Sequence, residues 1–396
     1  FTKNYNEVYL KGSSTKLDDN IRGVIKKHVN ASEDDVLLTA NSGIANAISK
    51  FQTILGLKVS KNLKEYLNFP KELSPVIFIS NVEYYSGYLP WLETIGIVEI
   101  IPSDTKGLIS MSGFKKLLEQ YKDHPLKMAS IAAYSSVTGI ETEYYKVASL
   151  MHKNKGLCLV DFGNSAPHVT INMHPNMKDK DAYLDAVIFS PHKFLGGFES
   201  SEILIFNKKV YNQFLFKRSE TTGEIKATST LDGIYIEDIA TFEGNISAPM
   251  SMQTIKAALA IQLKEQMGIR NIAARTKQIN KKIIKKLKNL KNVHIIGSLK
   301  EDRLPVFSFH IENVHYSLVV KLLSDHFGIK AKGIASSEDS YGYYLLKSMH
   351  PKLTKNSRYL FKHPGWVRIS MHPTSENSEI TFIYSAIKAI SKYHKT

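Results

Sequence analysis

Two polar segments that follow apolar runs hold the side chains in this chain that are best suited to chemistry. The run Leu157–Val160 ends in Asp161, and the run Ala186–Phe189 leads through Ser190–His192 to Lys193. A lysine amine that is kept neutral attacks carbonyl carbons and forms a Schiff base. A buried carboxylate keeps a proton on a heterocyclic nitrogen, so that the ring acts as an electron sink. Brought into one pocket, these two side chains meet the needs of a pyridoxal phosphate site.

Each of the two residues also has an ordinary structural explanation. Asp161 alone would serve as a helix N-cap, and Lys193 alone would be a surface charge followed by a turn at Gly196-Gly197. An apolar strand that delivers Ser-Pro-His-Lys and then two glycines is, however, an unusual surface loop. The joint context of both segments therefore favours a catalytic site.

A third segment predicts a phosphate-binding turn. Residues 41–46 read Asn-Ser-Gly-Ile-Ala-Asn, follow the first predicted strand and open a helical stretch. Small residues at such a turn present backbone N–H groups and the positive end of the helix dipole to an anion. Many strand-to-helix turns look like this, so the segment alone is weak support for a phosphate site. Ser190 and His192 would add phosphate contacts from a second strand end.

Composition excludes several classes of protein. The chain has 396 residues, 43% hydrophobic and 22% charged, which is ordinary for a globular protein of two or three domains. No apolar run in it reaches the roughly 18 residues that span a bilayer. Cys158, the single cysteine, rules out an internal disulfide and a cysteine-only metal site, and no metal site is expected. The lack of disulfides fits a reducing compartment, and we expect a cytoplasmic protein.

The net charge of +15 raises the question of a nucleic-acid partner. Its densest cluster, 281–291, places Ile283, Leu287 and Leu290 at helical spacing, so the lysines would lie on the opposite, solvated face. No zinc-finger spacing and no RNA-binding aromatic pattern accompanies the charge. A nucleic-acid partner is therefore not expected, and steeply salt-dependent binding would be its signature.

The order of the predicted elements indicates an α/β fold. Short apolar runs alternate with helical stretches over the first half of the chain, and each run is nearly continuous rather than alternating. The runs are Val36–Thr39, Val76–Ser80, Val98–Ile101, Ala129–Tyr134, Leu157–Asp161, Ala186–Phe189 and Ile203–Phe206. This pattern is typical of a mainly parallel sheet that helices cover on both faces, which predicts a three-layer domain.

The pattern changes beyond residue 250. A long helical stretch covers 250–290, and Gly328 stops a helix over Tyr316–Phe327. Strands are predicted at Val293–Ile296, Val306–His310 and Trp366–Ser370. We therefore expect a large α/β domain over 1–250, with an incomplete N-terminal segment, and a small C-terminal α+β domain over 251–396.

These segments resemble, in order along nearly the whole chain, the class V aminotransferase branch of the fold-type I pyridoxal phosphate enzymes. Cysteine desulfurases and selenocysteine lyase-like proteins are the most similar group. Besides the two segments around Asp161 and Lys193, the similar stretches are 34–43, 81–91, Ser135–Gly139, 328–333 and Val367–Ser370. The resemblance implies a fold-type I transferase whose mostly parallel sheet has seven strands.

The resemblance also implies a role for each matching residue. Lys193 would carry pyridoxal 5'-phosphate and shuttle the α-proton of the substrate, and Asp161 would pair with the pyridine nitrogen. Asn164, where relatives usually have Gln, would reach the phenolic oxygen of the ring. Arg368 would clamp the substrate carboxylate with its planar fork. The phosphate would be held by Gly43, Ile44, Ala45, Ser190 and His192.

The chain departs from the family's pattern at several positions. Tyr84 stands where relatives stack a histidine on the cofactor ring, and it is a poorer proton shuttle because its ordinary pKa is about 10. Ser136 replaces an asparagine in the turn after Ser135. The loop that reaches the neighbouring subunit's phosphate corresponds to 243–249, with Ser247 as the substitute hydroxyl at altered spacing. We assign Tyr84 to catalysis and to cofactor binding, and Ser136 and Ser247 to cofactor binding.

The largest departure concerns the mobile loop that carries a catalytic cysteine in relatives. In register, Ser337 takes that position. Sulfur transfer through a persulfide needs a thiolate, and a serine hydroxyl has no comparable chemistry. Cys158 lies in a predicted core strand and cannot replace it. We therefore expect no persulfide-forming activity and place Ser337 among the substrate-binding residues.

The sequence leaves several functions open. The leading hypothesis is a pyridoxal phosphate enzyme that acts on a small amino acid through Lys193, as an aminotransferase or as a C–S or β-eliminating lyase. One alternative is a desulfurase that uses another nucleophile. Another is an inactive homologue that serves as a binding protein, which the changes at Tyr84, Ser136 and Ser337 motivate. The resemblance implies a homodimer with shared active sites, and no membrane partner is expected.

Overall fold

A seven-stranded sheet forms the centre of the computed structural model, which describes residues 19–40, 43–64, 66–67, 69–82, 85–104, 106–213, 225–228, 233–235, 252–349 and 364–393. Its strands are β1 (Asp35–Ala40), β2 (Val76–Ser80), β3 (Ile97–Ile101), β4 (Lys127–Ala132), β5 (Leu157–Asp161), β6 (Ala186–Phe189) and β7 (Glu202–Asn207). Their order across the sheet is β1-β7-β6-β5-β4-β2-β3. Within this sheet β7 runs opposite to the other six strands, so the expected mostly parallel sheet is confirmed.

Both faces of this sheet are buried, which explains why its strands read as continuous apolar runs. Successive side chains along a strand point to opposite faces. Phe78 and Val160 accordingly belong to one hydrophobic core, and Ile77 and Leu159 belong to the other. Cys158 lies in the first core with none of its surface exposed, as the sequence indicated.

Helices surround the two sheets. They are α1 (Ile44–Ile54), α2 (Lys61–Lys64), α3 (Tyr85–Leu92), α4 (Met111–Gln120), α5 (Tyr144–Lys153), α6 (Lys208–Gln213), α7 (Met252–Met267), α8 (Ile269–Lys288), α9 (Tyr316–Phe327), α10 (Ser340–Met349) and α11 (Asn377–Tyr393). Residues 19–28 are also helical, and 3-10 turns cover Lys71–Leu73 and Pro191–Lys193. Among the described helices, none is both long and apolar enough to cross a bilayer.

The long helical stretch predicted over 250–290 is divided into two helices. Gly268, with φ 79°, separates α7 from α8. Ile261 of α7 packs into the core of the large sheet, whereas Ile283 and Leu287 of α8 pack into the core of the small sheet. The change of packing partner therefore falls between these two helices, at Gly268. The division of the chain at residue 250 stays a prediction.

The remaining strands form a hairpin and a second sheet. They are β8 (Ile225–Thr228), β9 (Gly233–Tyr235), β10 (Val293–Ile295), β11 (Val306–Ile311), β12 (Lys332–Ala335) and β13 (Gly365–Ser370). The last four form an antiparallel sheet in the order β10-β11-β13-β12, and α9 ends at Gly328 as the sequence indicated. This sheet brings β13, with Arg368, to the edge of the large domain where β4 and β5 end.

Candidate active site

The loops that follow the parallel strands of the large sheet border one cavity of about 350 Å³. Ligands bind at the carboxyl edge of open α/β sheets, where loops from successive strands converge on one place. Ten of the residues singled out in the sequence line this cavity. They are Gly43, Ile44, Ala45, Ser136, Asp161, Asn164, Ser190, His192, Lys193 and Arg368. The structure brings them together, and their individual roles stay predictions.

Asp161 lies at the end of β5, after four buried residues, and lines the cavity. Its Oδ1 accepts a hydrogen bond from the backbone N–H of Gly163 at 2.6 Å. Burial raises the pKa of Asp161 to about 6, against the opposing effects of the Gly163 N–H and of the Lys193 charge, while Glu202 adds to the rise. A carboxylate with a raised pKa stays charged when a cation lies beside it. A protonated ring nitrogen would be such a cation.

Lys193 reaches the same cavity from the 3-10 turn that follows β6. Its Nζ donates a hydrogen bond to Oδ1 of Asn164 at 2.8 Å. Desolvation by the surrounding protein lowers the pKa of Lys193; the carboxylates of Asp161 and Glu202 oppose this, and Arg368 adds to it. A lowered pKa makes the neutral amine of the lysine more accessible, and the neutral amine is the form that attacks a carbonyl.

The chain folds back tightly after Lys193 because Gly197 lacks a side chain. The N–H of Gly197 donates to the carbonyl of Phe194 at 3.0 Å. A Cβ atom at Gly197 would overlap the carbonyl oxygen of Pro191. The second glycine of the Gly-Gly pair therefore permits the close return of the loop that places Lys193.

Helix α1 begins at the cavity wall, with Gly43 as its N-cap. Gly43 has φ 112°, a conformation that residues with a Cβ rarely adopt. The start of an 11-residue helix offers backbone N–H groups and partial positive charge to an anion. The N–H of Gly43, however, donates to Oε1 of Glu202 at 2.9 Å.

Arg368 joins the small sheet to the cavity. Its Nη1 donates to the backbone carbonyl of Ser136 at 3.0 Å, so the guanidinium lies beside the turn after β4. The register of β12 and β13 places Lys332 opposite Arg368, and both residues line the cavity. Two cations from the small sheet thus face the carboxyl edge of the large one, which is an arrangement suited to an anionic substrate group.

Several residues at this site were not predicted from the sequence, among them three with polar side chains that bear on its chemistry. Tyr134 and Lys332 line the cavity, and Glu202 lies fully buried beside Gly43 and His192. The signal for Glu202 was an acid at the first position of an otherwise apolar strand. Lys332 gave no signal, because its position depends on strand register across the small sheet.

Three predicted residues are not brought to the cavity by the part of the chain that the structure describes. Tyr84 and Ser247 lie outside the described residues. Ser337 is exposed in the turn after β12 and is not among the residues that line the cavity. Its substrate-binding role therefore stays a prediction without a contact that supports it.

The side chains present fit pyridoxal phosphate. The Lys193 amine, with a lowered pKa, and the half-buried carboxylate of Asp161 line one cavity. The hydroxyl groups of Ser136 and Ser190 are buried there without a hydrogen-bond partner among the described residues. Buried polar groups are nearly always paired in folded proteins, so these two hydroxyls indicate a polar ligand.

Comparison with known proteins agrees with this chemistry. The model of the family described as aminotransferase class-V matches residues 6–382. A candidate cysteine desulfurase of Plasmodium berghei is 28% identical over 61% of this chain and 44% of its own length. A protein of Halalkalibacterium halodurans that is also described as a cysteine desulfurase is 24% identical over 64% of this chain and 60% of its own length. The matched part thus spans less than two thirds of these curated relatives.

Solved structures share the fold. The apo cysteine desulfurase of Thermococcus onnurineus superposes with a TM-score of 0.74 and 20% identity, covering 97% of this chain and 86% of that one. A NifS-like protein of Rickettsia africae superposes with a TM-score of 0.65 and 20% identity, covering 95% of this chain and 88% of that one. The family match, over nearly the whole length, shows that this chain belongs to the class-V aminotransferase family of pyridoxal phosphate-dependent enzymes.

Proposed function

We propose that this protein acts on a small amino acid through Lys193, as a pyridoxal phosphate-dependent aminotransferase or as a C–S or β-eliminating lyase. The observation that carries the proposal is the placement of Lys193 and Asp161 on one cavity, where desolvation lowers the pKa of Lys193 and raises that of Asp161. Titratable groups whose pKa values are shifted in this way within one cavity are typical of catalytic sites.

Each residue that lines the cavity has a role that follows from its position. When bound, pyridoxal phosphate would supply an electron sink for charge that develops on the substrate α-carbon. Asp161 would hold a proton on the ring nitrogen, and Asn164 orients the Nζ of Lys193 through their hydrogen bond. The Lys193 amine would take the α-proton and return it, since desolvation favours its neutral form.

Arg368 would hold the carboxylate of the substrate. Its Nη1 donates to the carbonyl of Ser136, and the planar fork of a guanidinium suits a carboxylate. Lys332, opposite Arg368 on β12, adds positive charge at the same place. Two cations near the cavity favour a substrate with a carboxylate over an amine without one.

Cysteine desulfuration is the second candidate, because the relatives described above carry that name. The chain offers little support for a persulfide route. Cys158, its single cysteine, is buried in the large core, and desolvation raises the pKa of its thiol. Ser337 is the residue in register with the loop cysteine, and a hydroxyl does not attack sulfur in that way. A homodimer with shared active sites and a cytoplasmic location complete the proposal.

A visible absorbance spectrum with added pyridoxal phosphate, followed by a panel of amino acids, tests the function. We expect a cofactor band that shifts with one or a few small amino acids and that is absent in Lys193→Ala. A keto acid together with the amine form of the cofactor would identify an aminotransferase. Ammonia with pyruvate, or sulfide, would identify a lyase. A protein that binds the cofactor but gives no product with any amino acid would contradict the proposal and favour a binding role.

A further inference from the structure

A buried carboxylate lies behind two residues of the cavity wall, Gly43 and His192. Glu202, the first residue of β7, has none of its surface exposed. Its Oε1 accepts a hydrogen bond from the N–H of Gly43 at 2.9 Å and lies 2.9 Å from Nδ1 of His192. Its Oε2 has no hydrogen-bond partner among the described residues. A buried charge is costly unless it is paired, so these two contacts decide where the carboxylate rests.

The two groups that Glu202 contacts are those best placed to receive a phosphate. The Gly43 N–H lies at the start of α1, where unpaired backbone donors and the helix dipole attract an anion. His192 lies in the turn that carries Lys193, next to the unpartnered hydroxyl of Ser190. One helix N-terminus and one histidine therefore already face a negative charge that belongs to the protein.

We propose that Glu202 determines the selectivity of this site for the phosphate of its ligand, by competing with that phosphate for the Gly43 N–H and His192. The proposal rests on the cofactor of the proposed function. A phosphate and the Glu202 carboxylate cannot both lie against the Gly43 N–H and the His192 ring without strong repulsion, because screening by water is weak where Glu202 lies. Binding of a phosphorylated ligand must therefore displace the Glu202 carboxylate from these contacts. A ligand with the same ring and no phosphate does not meet this opposition.

The other charges that face the ligand make the effect specific to one end of the cavity. Asp161 and Lys193 interact electrostatically with Glu202, and Arg368 interacts with Lys193. Replacing Glu202 by glutamine changes these longer-range effects equally for a phosphorylated and a non-phosphorylated ligand. The ratio of the two affinities therefore isolates the competition at the phosphate donors.

The opposite role for Glu202 predicts the opposite result. In that role, the Glu202 carboxylate, 2.9 Å from Nδ1 of His192, would orient the imidazole ring toward a bound phosphate. If this were the dominant effect, removal of the carboxylate would weaken binding of the phosphorylated ligand. The sign of the change thus distinguishes competition from assistance.

The test compares pyridoxal phosphate with pyridoxal, which have the same ring and aldehyde, as ligands of the full chain stripped of cofactor. Dissociation constants are measured by absorbance titration for the wild type, Glu202→Gln and Glu202→Ser. Glu199→Gln is the matched control, because Glu199 is an exposed acid in the same connection, 3.3 Å from Lys256. Thermal melting of each variant confirms that it folds, and the smaller Ser variant serves if Gln disturbs packing.

We expect Glu202→Gln to bind pyridoxal phosphate about tenfold more tightly or better, and pyridoxal within about twofold of the wild type. Glu199→Gln should leave both constants unchanged. Equal changes for both ligands, or weaker binding of pyridoxal phosphate, would overturn the competition while leaving the proposed function intact. Failure of every protein to bind either ligand would overturn the proposed function as well.

Discussion

The Nζ of Lys193 donates a hydrogen bond to Oδ1 of Asn164 across 2.8 Å, and this bond joins the loops that follow two neighbouring strands, β5 and β6. Asp161 is the last residue of β5, directly before the first loop, so the bond fixes the position of the Lys193 amine relative to the Asp161 carboxylate. The side-chain amide orients the amine without adding charge. This distinguishes Asn164 from a carboxylate, which would favour the ammonium form.

Replacing Asn164 by aspartate should therefore suppress attachment of the cofactor to Lys193 at neutral pH. Asn164→Asp keeps the shape of the side chain and places a negative charge against Nζ, which raises the pKa of Lys193. We expect the pH midpoint of cofactor attachment, followed by absorbance, to rise by about one pH unit or more. Asn164→Ala is the control and should loosen the amine without that rise. Identical midpoints for all three proteins would show that the contact has no electrostatic effect.

Removal of the Lys193 amine should abolish covalent capture of the cofactor. Lys193→Ala, mixed with pyridoxal phosphate and reduced with borohydride, is expected to gain no cofactor mass in the peptide that spans β6 and its following turn. Lys332→Ala removes the other lysine that lines the cavity and should still be labelled at Lys193. A label on Lys332 in the wild type, with Lys193 unmodified, would show that the assignment of the cofactor to Lys193 is wrong.

Arg368 should affect substrate binding more than cofactor binding. Arg368→Lys keeps a positive charge but loses the two-donor fork, so KM for the amino acid should rise by about tenfold or more. The affinity for pyridoxal phosphate should stay within about twofold, because Arg368 approaches the cavity from the small sheet. Steady-state kinetics beside an absorbance titration separate the two effects. An unchanged KM would show that Arg368 does not bind the substrate carboxylate.

A methyl group at Gly197 should displace the Lys193 loop. Because a Cβ there would overlap the carbonyl of Pro191, we expect Gly197→Ala to lower the free energy of unfolding by about 2 kcal/mol or more and to weaken cofactor attachment. Gly23→Ala is the matched control. A Cβ at Gly23 meets nothing within 4 Å, and this helical position should gain about 0.5–1 kcal/mol. Urea unfolding of both variants measures the contrast, and equal effects would refute the clash.

Stability should fall on acidification because of a histidine packed against residues that flank the Lys193 turn. His28 is buried against Phe189 and Phe194, and burial, helped by the Lys264 charge, lowers its pKa to about 3. The unfolded chain binds this proton below about pH 6.5 and the folded chain does not, so stability from the neutral form is lost as the pH falls toward 3. The expected loss from His28 is about 1.4 kcal/mol per pH unit in that window.

The matching measurement is urea unfolding at several pH values between about 6 and 4. His28→Gln should show a shallower decline than the wild type, since glutamine does not titrate. His326→Gln, at an exposed helix position, should keep the wild-type slope. A wild-type slope in His28→Gln would mean that His28 does not govern the acid transition.

Much of this architecture follows from local sequence. The buried strands of the large sheet, and the helix that Gly328 ends, were predicted because both faces of the sheet are covered and because a glycine in the left-handed conformation closes a helix. Asp161 and Lys193 were found because each follows such a strand directly. A parallel sheet brings these strand ends to one edge, so spacing along the chain sufficed.

The residues that were missed depend on relationships that local sequence does not contain. Glu202 reaches the site because β7 runs antiparallel, which brings the start of that strand to the edge where its neighbours end. Lys332 reaches it through the register between β12 and β13. The break at Gly268 was missed because the apolar pattern continues on both sides of it.

The burial of Cys158 leaves the folded chain unreactive toward thiol-directed reagents. It is the only cysteine in the sequence, it has no exposed surface, and the pKa of its thiol is raised. Ser337, in contrast, lies exposed at the turn after β12. Ser337→Cys would therefore introduce the sole accessible thiol in one step, on a background that needs no cysteine removed. That thiol would take a single spectroscopic label in the turn after β12, and the unlabelled variant would measure whether this scaffold gains sulfur chemistry.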